Sequence, residues 1–153
     1  MQNDLTCSAV LLCEKTSIQP ENGALSIVNV FPEIALRFSA EGATQIGDTP
    51  HFTNIPLEVV VYFSRATTNG DLIREFKLEL ADAAGAVLIK DAKGMVHMKD
   101  GHRKFFSLIR FEKGIVCTRP GTYIFRVILE GEDAPLHEEH FDVKMFSQDG
   151  KQL

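Results

Sequence analysis

His137-Glu138-Glu139-His140 places two imidazoles and two carboxylates, the side chains that most often bind zinc, in one short run. On a strand, ligands to a single ion stand two residues apart, whereas residues three apart face opposite ways. A helix would align them, but Pro135 lies just before the run and a strand pattern just after it. The run reads as a solvated strand margin, and no metal or other cofactor is assigned to it. A second cluster, His97, Lys99, His102, Arg103 and Lys104, surrounds Asp100-Gly101. A two-residue turn there would bring His97, Lys99, His102 and Lys104 onto one face, where cationic groups attract anions at short range. The chain carries a formal net charge of -5 and interleaves no aromatic stacking platform with these residues, so a solvated hairpin tip is the expectation.

Cys7, Cys13 and Cys117 are an odd set with no Cys-x-x-Cys pair, which reads as reduced, partly buried thiols. Asp48, Asp71, Asp82, Asp100 and Asp133 stand at turns, where they can meet to bind calcium, although aspartate is common at turns for local reasons. Neither a nucleophile elbow, a phosphate-binding loop nor a dinucleotide fingerprint occurs. No catalytic residue is therefore assigned. The enzyme alternative is a metal-dependent or hydrolytic activity using His137, His140 or His97, with its site assembled from distant segments.

The elements that position these residues read as strands. Between Leu72 and Leu80, Arg74, Phe76, Leu78 and Leu80 share one face while Glu75, Lys77 and Glu79 share the other. Upstream, Leu57, Val59, Val61 and Phe63 alternate in the same way. Asn69-Gly70 between the two runs predicts a type I′ hairpin that sets Phe63 opposite Phe76, Val61 opposite Leu78 and Val59 opposite Leu80. Further strands are expected at Leu5–Cys13, Leu25–Phe31, Val87–Asp91, Met95–Met98, Phe105–Phe111, Tyr123–Glu130 and His140–Phe146. Ala40–Asn54 is poorly patterned, and either a long connection or a short helix is expected there. The 153 residues suit one domain, 1–153, and the expected fold is all-β, an antiparallel two-sheet sandwich.

Arg119-Pro120-Gly121-Thr122-Tyr123-Ile124-Phe125-Arg126-Val127 resembles the late strand of immunoglobulin-like and related sandwich domains. That resemblance implies a tyrosine at the strand start whose hydroxyl ties to nearby backbone. Leu11-Leu12-Cys13-Glu14, Leu25-Ser26-Ile27-Val28-Asn29-Val30-Phe31-Pro32 and the same late strand together resemble an uncharacterised bacterial family of small β-sandwich proteins. The family implies a fold but no activity.

The acidic balance argues against nucleic acid and anionic lipid as partners, and no run of about 18 apolar residues offers a membrane helix. The Ala9–Leu12 run is too short for a signal-peptide core, so a cytoplasmic location is expected. What remains is a non-catalytic binding or interaction module whose partner is another protein or a second copy. A structural subunit of a bacterial or phage assembly is the other alternative. If Phe63 and Phe125 point inward, alternation turns Val60, Tyr62, Ile124 and Ile128 outward as the expected interaction surface.

Overall fold

The computed structural model describes residues 4–43, 46–47 and 50–153. It is all-β apart from one short helical turn. In chain order the elements are β1 (Leu5–Ile18), β2 (Leu25–Val30), β3 (Glu33–Phe38), α1 (Ala40–Ala43), β4 (His51–Phe52) and β5 (Leu57–Arg65). They continue as β6 (Leu72–Ala81), β7 (Val87–Met98), β8 (Lys104–Phe111), β9 (Val116–Cys117), β10 (Gly121–Leu129) and β11 (His137–Ser147). Four strands form an antiparallel sheet in the order β2-β1-β5-β8, five form a second sheet in the order β3-β11-β10-β6-β7, and β4 pairs with β9.

Two expectations about pairing are corrected. The second sheet is mixed rather than antiparallel, because β3 runs parallel to β11 with Glu33 opposite Asp142 and Phe38 opposite Ser147. The chain passes from β2 in one sheet to β3 in the other through Phe31-Pro32, and β3 takes the open side of β11 in the only direction it arrives. The other correction concerns β5 and β6, which do not form a hairpin. β5 lies between β1 and β8, while β6 lies between β10 and β7. A type I′ turn needs positive φ at both central residues, and here Gly70 has φ 75° whereas Asn69 is not among the positive-φ residues. The link instead crosses between the sheets and is tied to the β7–β8 turn. Gly70 N–H donates to Asp100 Oδ1 at 2.6 Å, Asp100 N–H to Asp71 Oδ1 at 2.9 Å, and Gly101 N–H to the Thr68 carbonyl at 2.7 Å.

The inward face nevertheless matches the alternation. Phe63 and Phe76 meet with ring centroids 5.0 Å apart, as residues of two different sheets rather than as cross-strand neighbours. Val59, Val61, Leu78, Leu80, Phe125, Val127, Val143 and Met145 are buried with them. Gly94 on β7 leaves room for this core: a Cβ there would lie 2.4 Å from Phe76 Cζ.

Asp100-Gly101 forms the two-residue turn expected, closed by His102 N–H donating to the Lys99 carbonyl at 2.9 Å, but the strands it joins belong to different sheets and so make no hairpin. Buried Arg65 organises the turn, donating from Nε to the His102 carbonyl at 2.8 Å and from Nη2 to the Lys99 carbonyl at 3.0 Å. At the opposite end, Tyr123 is fully buried at the start of β10. Its hydroxyl accepts from Thr118 N–H at 2.9 Å and donates to the Arg119 carbonyl at 2.6 Å, the tie that the Pro-Gly-Thr-Tyr run implied.

Candidate interaction surface

β5 is central in its sheet, and its outward residues face known neighbours on both sides. Val60 stands opposite Leu11 of β1 and Leu108 of β8. Tyr62 stands opposite Ala9 and Phe106, and its ring meets Phe106 edge-on with centroids 6.3 Å apart. Opposed residues of an antiparallel pair share a face, so these six form two adjacent apolar rows across three strands. Leu108 is 37% exposed, and Tyr62, Phe106, Leu11 and Ala9 are half-buried. The rows are bounded at one end by Glu58 and Arg110, where Arg110 Nη1 lies 3.5 Å from Glu58 Oε1 and its Nε 2.8 Å from Glu112 Oε1. At the other end stand Ser64 and Lys104.

The expected four-residue surface is only partly realised. Val60 is fully buried, because a β-branched side chain flanked by two leucines is covered by them. Ile128 is also buried at 6% exposure, opposite Lys77 and beside the segment in which Leu136 N–H bonds the Val127 carbonyl. Tyr62 and Ile124 are half-buried. The two pairs cannot share one patch, since Val60 and Tyr62 belong to the four-stranded sheet and Ile124 and Ile128 to the five-stranded one. Around Ile124 and Ile128 the cross-strand rows are charged: Glu79, Arg126 and Glu138 stand in line, with Arg126 Nε 3.4 Å from Glu138 Oε1, and His140 stands opposite Ile124. That face is a solvated ion-pair ladder. The other carries the apolar rows.

The remaining candidate groups are dispersed. His97 lies on β7 with Nε2 4.0 Å from Asp71 Oδ2, while His137 and His140 project to opposite faces of β11. His137 Nε2 is buried without a hydrogen-bond partner, 3.7 Å from Glu139 Oε1. Among the described residues, no three His, Cys, Asp or Glu side chains come together as metal ligands do. The turn aspartates are spread over both ends: Asp71 and Asp100 cap the β7–β8 turn, whereas Asp82 accepts from Ala84 N–H, Ala86 N–H and Thr118 Oγ1. Asp48 lies outside the described residues.

Cys7, Cys13 and Cys117 are buried and unpaired. Burial pushes the Cys7 thiol up to about 11 and the Cys117 thiol up to about 12, and it raises Cys13 as well. Cys117 stands opposite His51 in the β4–β9 pair, yet a thiol held protonated at neutral pH is no nucleophile. An open cleft of about 360 Å³ lies beside the β10–β11 turn, where Lys77 and Lys93 face Glu75, Glu130 and Asp133. It carries both signs of charge, and Glu79 holds Lys77 at 3.1 Å.

Sequence reading missed Ala9, Leu11, Phe106 and Leu108 as members of the surface. Phe105-Phe106-Ser107-Leu108-Ile109 carried the signal, being apolar on both faces of a strand. No helix is long and apolar enough to cross a membrane among the described residues. No family model and no curated protein sequence matches the chain.

Proposed function

We propose that the chain is a two-sheet β-sandwich of immunoglobulin-like or related topology, acting without catalysis as an interaction module for another protein. The carrying observation is the contrast between its outward faces: apolar rows Leu11/Val60/Leu108 and Ala9/Tyr62/Phe106 on one, an ion-pair ladder on the other. Scattered exposed apolar residues are ordinary, but a contiguous group on one face is the usual mark of a contact surface. The buried Tyr123 tie supports the sandwich assignment, and three buried unpaired thiols support a reducing, cytoplasmic setting.

The experiment compares quantitative co-purification from native cells for the wild type and a Tyr62→Glu/Leu108→Glu variant, with melting measured on both. A protein recovered stoichiometrically with the wild type and lost from a variant of unchanged melting temperature supports the reading. A partner held equally by both proteins refutes the surface. Co-purified protein should also be independent of added chelator.

A further inference from the structure

β2 is an edge strand unlike the other three. β8 carries Lys104 and Arg110, β3 carries Glu33 and Arg37, and β7 carries Lys90, Asp91 and Lys93 together with a bulge against β6. Charge and bulges are the usual devices that stop an edge from pairing with another chain. β2 reads Leu25-Ser26-Ile27-Val28-Asn29-Val30, and residues 23–32 contain no charged side chain. Among the described elements it packs substantially against β1 alone. The β1–β5 pairing stops at Cys13 opposite Glu58, so beyond it β1 and β2 continue as a two-stranded ribbon with Ile18 opposite Leu25 and Thr16 opposite Ile27. A two-stranded ribbon is marginal in water, and this one leaves Ile18 52% exposed.

We infer that this edge pairs with the β2 of a second copy, antiparallel about a two-fold axis, joining two four-stranded sheets into one of eight. This goes beyond the interaction reading and uses a different surface. Self-pairing sets each side chain of the strand beside side chains of the same strand in the copy, so it suits the one edge that has no charge to repel itself. β8 paired about Ser107 would set Arg110 against Lys104 of the copy, two cations face to face. The register follows from Asn29, whose φ of 53° takes it out of the extended conformation, so the straight part of the edge is centred before it. Placing Ser26 on the axis sets Leu25 opposite Ile27 of the copy and Ala24 opposite Val28 of the copy. Each apolar row then runs Ile18, Leu25, Ile27 of the copy and Thr16 of the copy, while the serines Ser17 and Ser26 share the other face. Two such rows cover the side chains that one ribbon alone leaves to solvent.

Ser26→Cys tests the register, because residues on the axis of an antiparallel pair lie about 4.5–5.5 Å apart at Cα, within reach of a disulfide. Ser17→Cys is the control: its copy lies three strand spacings away, roughly 14 Å, too far to bridge. Under mild oxidation Ser26→Cys is expected to give a linked dimer on non-reducing gels at least tenfold faster than Ser17→Cys. Wild-type mass in sedimentation should rise toward twice the monomer over a roughly hundredfold concentration range, as a small interface dictates. Ile27→Lys should stay monomeric with melting nearly unchanged. Gln19 N–H donates to the Ala24 carbonyl, so alternation aims the Ser26 N–H at β1 and the Ile27 N–H at the open edge. Because β2 lies outside the core, Ile27→Pro, which removes that edge N–H, gives the same readout should the lysine variant misfold. A wild type that stays monomeric throughout, or equal cross-linking of the two cysteine variants, overturns the inference. The Tyr62→Glu/Leu108→Glu variant should still dimerise. Loss of the dimer in that variant would place the self-contact on the sheet face and overturn the edge assignment, whereas loss of a foreign partner alone bears only on the interaction reading.

Discussion

Tyr123→Phe removes one oxygen from the end of the fold and nothing else, which makes its cost calculable. The hydroxyl serves two backbone groups, accepting from Thr118 N–H at 2.9 Å and donating to the Arg119 carbonyl at 2.6 Å. The ring itself stays in place, packed against Phe141 with centroids 5.9 Å apart. Its loss leaves a buried donor unsatisfied, which costs about 1–3 kcal/mol, and removes a second bond whose net worth is about 1 kcal/mol. The expected loss is therefore about 2–4 kcal/mol. For a chain of this length that corresponds to a drop in melting temperature of roughly 5–15 °C. Urea titration at neutral pH measures the free energy, and the slope should be unchanged, because no surface is added to the unfolded state. Thr118→Val supplies a second leg, since Thr118 Oγ1 donates to Asp82 at 3.0 Å and lies 3.3 Å from the tyrosine oxygen. The double variant should lose less than the sum of the two, by about 0.5 kcal/mol or more. A Tyr123→Phe loss under about 0.5 kcal/mol, the level of an ordinary surface change, would refute the reasoning.

Phe76→Ala should cost about 3–5 kcal/mol by denaturant titration, because its buried ring packs against Phe63, while Lys77→Ala, on the outward face, should cost under about 0.5 kcal/mol. Gly94→Ala should destabilise by about 1–3 kcal/mol through overlap with Phe76, and adding Phe76→Leu should recover part of that loss; additive effects would show that the two do not touch. Cys7, Cys13 and Cys117 should resist a thiol reagent in the folded protein and all react once it is unfolded, and a protected pair after unfolding would contradict the free-thiol assignment. The thiols at about 11 and about 12 and the raised Tyr123 hydroxyl are acids held neutral by burial. Their contribution is complete below the unfolded values of 9.0 for cysteine and 10.0 for tyrosine, and it is lost as pH rises through the folded values. Stability measured across that range should fall on the alkaline side, and Cys117→Ala should remove part of the slope.

Local pattern carried the strands and their inward faces. Alternation in Leu57–Arg65 and Leu72–Leu80 identified Phe63, Val61, Phe76 and Leu78 as core, and all four are buried. The strand boundaries were less legible. β3 went unrecognised, and β7 read as two strands because Lys90-Asp91 and Lys93-Gly94 interrupt a single bulged one. The hydroxyl tie of Tyr123 was legible through resemblance, since its partner Arg119 lies only four residues upstream.

Pairing was decided by the tertiary structure. Whether Phe63 meets Phe76 beside it or across from it makes no difference to alternation, so a hairpin and a crossing between sheets predict the same core from the same residues. The choice went to lateral partners distant in the chain: Val61 stands opposite Val10 and Ser107, and Leu78 opposite Val127 and Ala92. The candidate surface shows the same division. Outward apolar residues could be named strand by strand, but Tyr62 joins Phe106 and Ala9 while Ile124 joins His140 on another sheet, and only strand order brings them together or holds them apart. A sequence period states which face a side chain occupies. Its neighbours on that face come from segments tens of residues away, and no local preference encodes them.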